Sequence, residues 1–191
     1  MYLTDSEIYE WAEAGGIIPF VYANVNPCSY DICLGDVYID FLYPDNIIHA
    51  IDNTISIYKT SSVYDWLHKK INTPFKKLYG RNLKHLPSVI FAITKETVNI
   101  ADDMMAEIKL KTSPTRSGLN NSLADLVDPG YFGKLTLMFS AHKTIHLTVG
   151  MRIAQLVLCR LDKPVAKSYK ETGHYQGQNV PMIAWKGYNE L

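Results

Sequence analysis

The stretch KLTLMFS, residues 134–140, decides the fold class because its residues alternate. Residues two apart on a strand share a face. Leu135, Leu137 and Phe139 therefore point one way, and Lys134, Thr136, Met138 and Ser140 the other. Met138 is the odd member of the second set: either it fills a gap at a buried contact, or it stands where another chemistry would be expected. Around this strand lie SVIFAIT (88–94), AEIKLKT (106–112), TIHLTV (144–149) and RIAQLVLCRL (152–161). These runs are short and rich in β-branched or apolar residues, with turn signals at Asp128-Pro129-Gly130 and Gly150. The pattern predicts a mainly β fold.

Small helices come early. In TDSEIYEWAEAGG (4–16), Thr4 and Glu7 fit a capping box, Ile8, Trp11 and Ala12 recur at helical spacing, and Gly15-Gly16 supplies a stop. SYDICLGDVYIDFLY (29–43) reads as two strand-like runs punctuated at Gly35-Asp36, with Val37, Ile39 and Phe41 on one face. In SSVYDWLHKKI, Ser62 and Asp65 are cap residues for a helix whose stripe is Val63, Trp66, Leu67 and Ile71. Lys76, Lys77, Arg81 and Lys84 follow, so residues 69–85 form the most basic stretch. It reads as solvated surface, with anion binding as the alternative.

A chain of 191 residues, 47% of them hydrophobic, is expected to form a single domain, 1–191, with a real core. Its 19 basic and 19 acidic side chains cancel. That balance argues against binding an extended nucleic-acid duplex by broad phosphate neutralisation, and leaves a local anion site open. No apolar run reaches the roughly 18 residues of a membrane span, and MYLTDSEIYEW lacks the features of a signal peptide, so the expected location is cytoplasmic, with no membrane partner. Cys28, Cys33 and Cys159 read as buried reduced thiols. His142 and His146 have the spacing of a metal pair but lack a third ligand, and read as surface hairpin residues, so no metal site is assigned. Neither a nucleotide-binding Gly-rich loop nor an internal repeat is present.

Three stretches, in order, resemble the dCTP deaminase and trimeric dUTPase superfamily: NPCSYDICLGD, then VDPGYFGKLTLMF followed by GMRIAQLV, and the tail SYKETGHYQGQ. The opening helix is also in place. The resemblance covers the chain except about residues 45–85, a basic, partly helical insertion. It implies a distorted β-barrel or jelly-roll of the dUTPase-like type with short peripheral helices. It also implies a homotrimer with nucleotide sites at subunit boundaries.

In KTSPTRSGL, Lys111 stands where deaminases carry an arginine, Thr112 and Ser113 fill hydroxyl positions, and Arg116 matches a second arginine. Such groups suit phosphate, although lysine lacks the bidentate fork of arginine. From residue types alone the same stretch reads as an exposed strand-to-loop edge. Asp128 matches the aspartate that activates water in dUTPases, usually with Mg²⁺ bridging the phosphates. It is equally a turn opener, and deaminases share it. Ala124 matches a residue whose backbone lies near the base, and Tyr131 either joins the sugar platform or packs beneath the turn. The tail implies Tyr169 near the sugar, His174 at the phosphate-reaching position where deaminases have lysine, Tyr175 beside it, and Gln178 reading base or phosphates. A histidine is only partly charged near neutral pH.

By the same resemblance Met138 occupies the place of the deaminase glutamate that shuttles protons. A thioether cannot do so, which removes an acid–base contribution of about 10²–10⁴. Thr136 shares its strand face. Leu126 replaces an arginine, and Asp125 beside it adds a negative charge. The expectation is a protein that binds or sequesters a nucleotide or nucleotide-derived signal at inter-subunit sites without deaminating it. The alternatives are a dUTPase-like pyrophosphatase using Asp128 and Mg²⁺ held through the nucleotide phosphates, and, last, a dCTP deaminase working through a substitute carboxylate.

Overall fold

A computed structural model describes residues 1–40, 47–50, 52–57, 89–121 and 125–182. In chain order its elements are α1 (Asp5–Trp11), β1 (Ile17–Ile18), β2 (Val25–Asn26), β3 (Ser29–Asp40), β4 (Ile47–His49), β5 (Thr54–Ile57), β6 (Val89–Asn99), β7 (Met104–Leu110), α2 (Thr112–Arg116), β8 (Leu119–Asn121), β9 (Leu126–Val127), β10 (Phe132–Ala141), β11 (Ile145–Thr148), β12 (Arg152–Arg160) and α3 (Tyr169–Thr172). The predicted helix at 62–71 and the basic segment 69–85 lie outside the described residues. No described helix is long and apolar enough to cross a membrane.

The capping box forms as the sequence predicts. Thr4 donates its backbone N–H and its hydroxyl to Glu7 Oε2, each at 2.9 Å, which satisfies groups that a helix start leaves orphaned. α1 buries Ile8. Trp11 donates its indole N–H to the Asn99 carbonyl at 3.2 Å, tying the helix to the end of β6.

The described strands form a mainly β structure, a curled half-barrel of antiparallel pairs in the order β8-β10-β6-β3-β12-β7-β9. β3 belongs to both halves of this sheet. Its Tyr30–Cys33 segment pairs with β12, and Tyr38–Asp40 pairs with β6 after a register shift that follows Leu34. The two runs expected on either side of Gly35-Asp36 belong to one continuous strand, which changes its pairing partner there. Gly35 is required by close approach rather than by a turn, since a Cβ there would lie 2.8 Å from the Ile93 carbonyl oxygen. Val37 is half-buried while Tyr38 and Ile39 are buried, so this segment does not follow a simple in-out alternation.

β10 follows the alternation closely. Leu135, Leu137 and Phe139 are buried, and Lys134, Thr136, Met138 and Ser140 are half-buried. Burying each of the apolar three contributes about 1.5–3 kcal/mol. A two-stranded sheet of β5 and β11 closes over one side and brings Ile55, Ile57 and Leu147 into the same core. Of the three thiols expected to be buried, Cys33 is buried, Cys159 is half-buried and Cys28 is exposed on the turn between β2 and β3. A tight turn leaves a side chain at its tip no neighbours to pack against.

Candidate functional site

The site is built around the turn Asp128-Pro129-Gly130-Tyr131. The Gly130 N–H donates to the Ile100 carbonyl at 3.0 Å, and the Tyr131 N–H to the Asp128 carbonyl at 3.1 Å. Gly130 has φ +86°, a conformation that disfavours other residues. A Cβ at this glycine would also overlap Ser168 Oγ.

The tail closes onto this turn. The Ser168 hydroxyl donates to Asp102 at 2.6 Å and accepts from the Lys170 N–H at 3.2 Å, capping α3. Lys170 Nζ meets the same carboxyl group at 3.3 Å. The Tyr169 N–H donates to the Pro129 carbonyl at 2.9 Å. Gln176 bridges the turn and β10, accepting from the Phe132 N–H and donating to the Gly130 carbonyl, both at 2.7 Å. Gln178 is buried: its carbonyl accepts from the Lys134 N–H at 2.7 Å, and its amide donates to the Thr136 hydroxyl.

Between turn, tail and β10 lies a cavity of about 520 Å³. Asp128, Tyr131, Thr136, Tyr169, His174, Tyr175 and Gln178 line it, together with Phe91, Leu126 and Met182. Seven of the predicted site residues thus meet at one place, together with Leu126, which the sequence marks as a departure. The rings of Tyr131 and Tyr169 stand 5.7 Å apart. Burial raises both phenols above their ordinary pKa, so they stay protonated at neutral pH. Tyr131 is buried beneath the turn, with its hydroxyl donating to the Lys134 carbonyl. Among the described lining residues Asp128 is the one carboxylate, and it is exposed.

The phosphate-type residues lie elsewhere. Lys111, Thr112, Ser113 and Arg116 belong to α2 and its N-cap and do not line this cavity. The strand-to-loop edge read from residue types is here a single short helical turn. Lys111 Nζ contacts the buried Asp31 carboxylate at 2.5 Å, and Arg152 reaches the same oxygen at 3.5 Å. Much of the Lys111 charge is therefore answered within the chain, whereas Thr112, Ser113 and Arg116 are exposed. A smaller cavity, about 260 Å³, lies between β7 and β8 and is lined in part by Thr115 of α2, Asn121 and Asp125. Met138 sits two residues from Thr136 on the same face of β10, and its cross-strand partner Phe91 lines the larger cavity. Met138 itself is not among the lining side chains. Ala124 lies outside the described residues.

Residues 2–161 match a family model described as dCTP deaminase-like. The chain belongs to that family. It is 30% identical over 195 residues to a dUMP-forming dCTP deaminase of Methanococcus aeolicus, covering 94% of each chain. It is 29% identical to a dCTP deaminase of Haloarcula marismortui, over 96% of this chain and 94% of that one. Its fold is similar to the crystal structure of 2'-deoxycytidine 5'-triphosphate deaminase from Agrobacterium tumefaciens, with a TM-score of 0.60 and 16% identity. That match covers 84% of this chain and 49% of the other, so the dCTP deaminase-like chain spans about half the length of that relative.

Within this dCTP deaminase-like chain, Ser168, Asp102 and Gln176 hold the tail in place, and none of them was singled out from the sequence. Gln176 had a readable signal, because it sits inside the tail motif. The Ser168–Asp102 pair joins positions 66 residues apart, which spacing along the chain cannot reveal. His142 and His146 do not form a pair: one meets the Asn120 amide at 3.0 Å and the other the Ser56 hydroxyl at 2.8 Å.

Proposed function

We propose that this protein binds a nucleotide or a nucleotide-derived signal without deaminating it, at sites completed between chains of a homotrimer. The observation that carries the reading is Met138. On the strand face beside the cavity the chain presents Thr136 and a thioether, neither of which exchanges a proton with a bound base at neutral pH. The relatives named dCTP deaminase make deamination the natural expectation, and Met138 and Leu126 depart from it. Division of the candidate residues supports the oligomer: the cavity holds Asp128 and the tail, while the exposed hydroxyls and Arg116 of α2 lie on another surface. A second copy would supply one set to the other.

The test isolates the protein with its ligand, denatures the complex and identifies what is released. Unchanged nucleotide is expected, and a thermal-shift screen should show about 2.7 kcal/mol of added stability at a hundred times the dissociation constant. Sustained ammonia release from dCTP would overturn the reading.

Asp128 favours a second reading, a dUTPase-like pyrophosphatase. It is an exposed carboxylate at the cavity, suited to orienting a water toward a phosphorus centre. Among the described residues no three His, Cys, Asp or Glu side chains gather to hold a metal ion. In this reading Mg²⁺ would be held through the nucleotide phosphates, with Asp128 as the nearby carboxylate, and would neutralise charge developing on them. Pyrophosphate release from deoxynucleoside triphosphates, abolished by Asp128→Asn, would select this activity over simple binding.

A further inference from the structure

The first 58 residues contain nine of the chain's 19 carboxylates and none of its 19 lysines and arginines. Two of those carboxylates, Asp5 and Glu10, line a second groove, of about 760 Å³, between α1 and the segment leading into β3. Asp5 and Glu10 stand on one side of it and Tyr9, Tyr22, Val25 and Pro27 complete its wall. Among the described residues Asp5, Glu10 and Glu13 form no salt bridge. Glu7 is different, because its carboxylate is occupied by the cap at Thr4.

The aromatic side is preassembled. Tyr9 packs edge-on against both Phe20 and Tyr22, each with ring centroids 5.7 Å apart, and Phe20 continues to the buried Tyr30 at 6.1 Å. Tyr22 is held by this stack yet remains 72% exposed, with Ile18 and Val21 exposed beside it in the chain. Ring faces attract cations, and Arg in particular stacks on them. Carboxylates nearby add charge, and the apolar neighbours add area that a bare ion would not use.

We propose that this groove docks a basic segment of a partner protein, with an arginine or lysine side chain over Tyr22 or Tyr9 and its charge answered by Asp5 and Glu10. Charge complementarity argues for a cationic occupant. The exposed Ile18, Val21 and Tyr22 argue for a peptide carrying apolar side chains rather than a free polyamine. The surface is distinct from the nucleotide cavity, with which it shares no lining residue, and the proposal does not depend on what that cavity binds.

The probe is a short synthetic peptide of alternating arginine, glycine and leucine, titrated into the nucleotide-free full chain by calorimetry, with chemical-shift mapping to locate it. Shifts should cluster at α1 and residues 22–27, and Asp5→Asn with Glu10→Gln should weaken binding by about fivefold or more at low salt. Tyr22→Leu should weaken it by about fivefold while Tyr22→Phe, which keeps the ring face, should not. Melting curves establish that each variant folds. Equal binding by every variant, or shifts elsewhere, would overturn the assignment. Spermidine binding as tightly as the peptide would replace the partner protein with a polyamine. A change in oligomeric mass in the acidic double variant, without peptide, would place a second copy of this chain in the groove and refute the proposal.

Discussion

Gly130→Ala tests whether the tail is seated on the turn as described. At φ +86° a non-glycine residue bears about 1–2 kcal/mol of backbone strain. The added methyl group would also overlap Ser168 Oγ and lie 2.8 Å from Asp102 Oδ1. Ser168 must then leave its cap on Lys170, which costs about 1 kcal/mol more. The expected destabilisation is about 2–3 kcal/mol, read from urea midpoints. Gly150→Ala is the matched control, because Gly150 has φ +81° but a methyl group there would meet nothing within 4 Å. It should suffer the backbone strain alone, about 1–2 kcal/mol. The tail carries Tyr169, His174, Tyr175 and Gln178 to the cavity. Loosening its seat by about 1 kcal/mol should therefore weaken nucleotide binding by about fivefold in Gly130→Ala, and leave Gly150→Ala unchanged. Equal stability losses in the two variants, with equal affinities, would mean that the tail does not rest on this turn.

Lys111→Met leaves the buried Asp31 carboxylate with Asn26 at 2.9 Å and Arg152 at 3.5 Å. Because Lys111 is partly exposed, the loss should be about 2 kcal/mol, below that of breaking a fully buried pair, and denaturant unfolding would check it. Burial raises the Glu96 carboxyl pKa despite the Cys33 N–H that donates to it at 2.8 Å. A raised pKa in the folded state means that stability from this group is present at low pH and lost as pH rises through the folded value. The wild type should therefore fall relative to Glu96→Gln as pH climbs from the ordinary carboxylate range toward neutrality; parallel curves of unfolding free energy against pH would count against it. Burial also pushes the Cys33 thiol up to about 11, so iodoacetamide at pH 8 should label the exposed Cys28 first and leave Cys33 intact until unfolding, as peptide mass mapping would reveal.

Local patterns were legible in the sequence because their causes are local. The capping of α1 depends on Thr4 and Glu7, and the two faces of β10 follow from the period of the strand. The tail motif marked Tyr169, His174, Tyr175 and Gln178, all of which line one cavity. What escaped depends on neighbours far along the chain. Gly35 resembled a stop because its steric need comes from Ile93, and the Lys111–Asp31 ion pair joins positions 80 residues apart. Division of the candidate residues between the cavity and α2 was likewise invisible, since a linear motif does not say which surface its side chains share.

The strand common to both halves of the sheet also constrains how this chain can vary in length. Deleting one residue at Gly35-Asp36 would invert the facing of every position after it on β3. Tyr38 and Ile39 would then exchange sides against β6 while Tyr30 and Ile32 kept theirs against β12. Insertions and deletions among descendants of this sequence should therefore spare Gly35-Asp36, where the strand passes from one half of the sheet to the other.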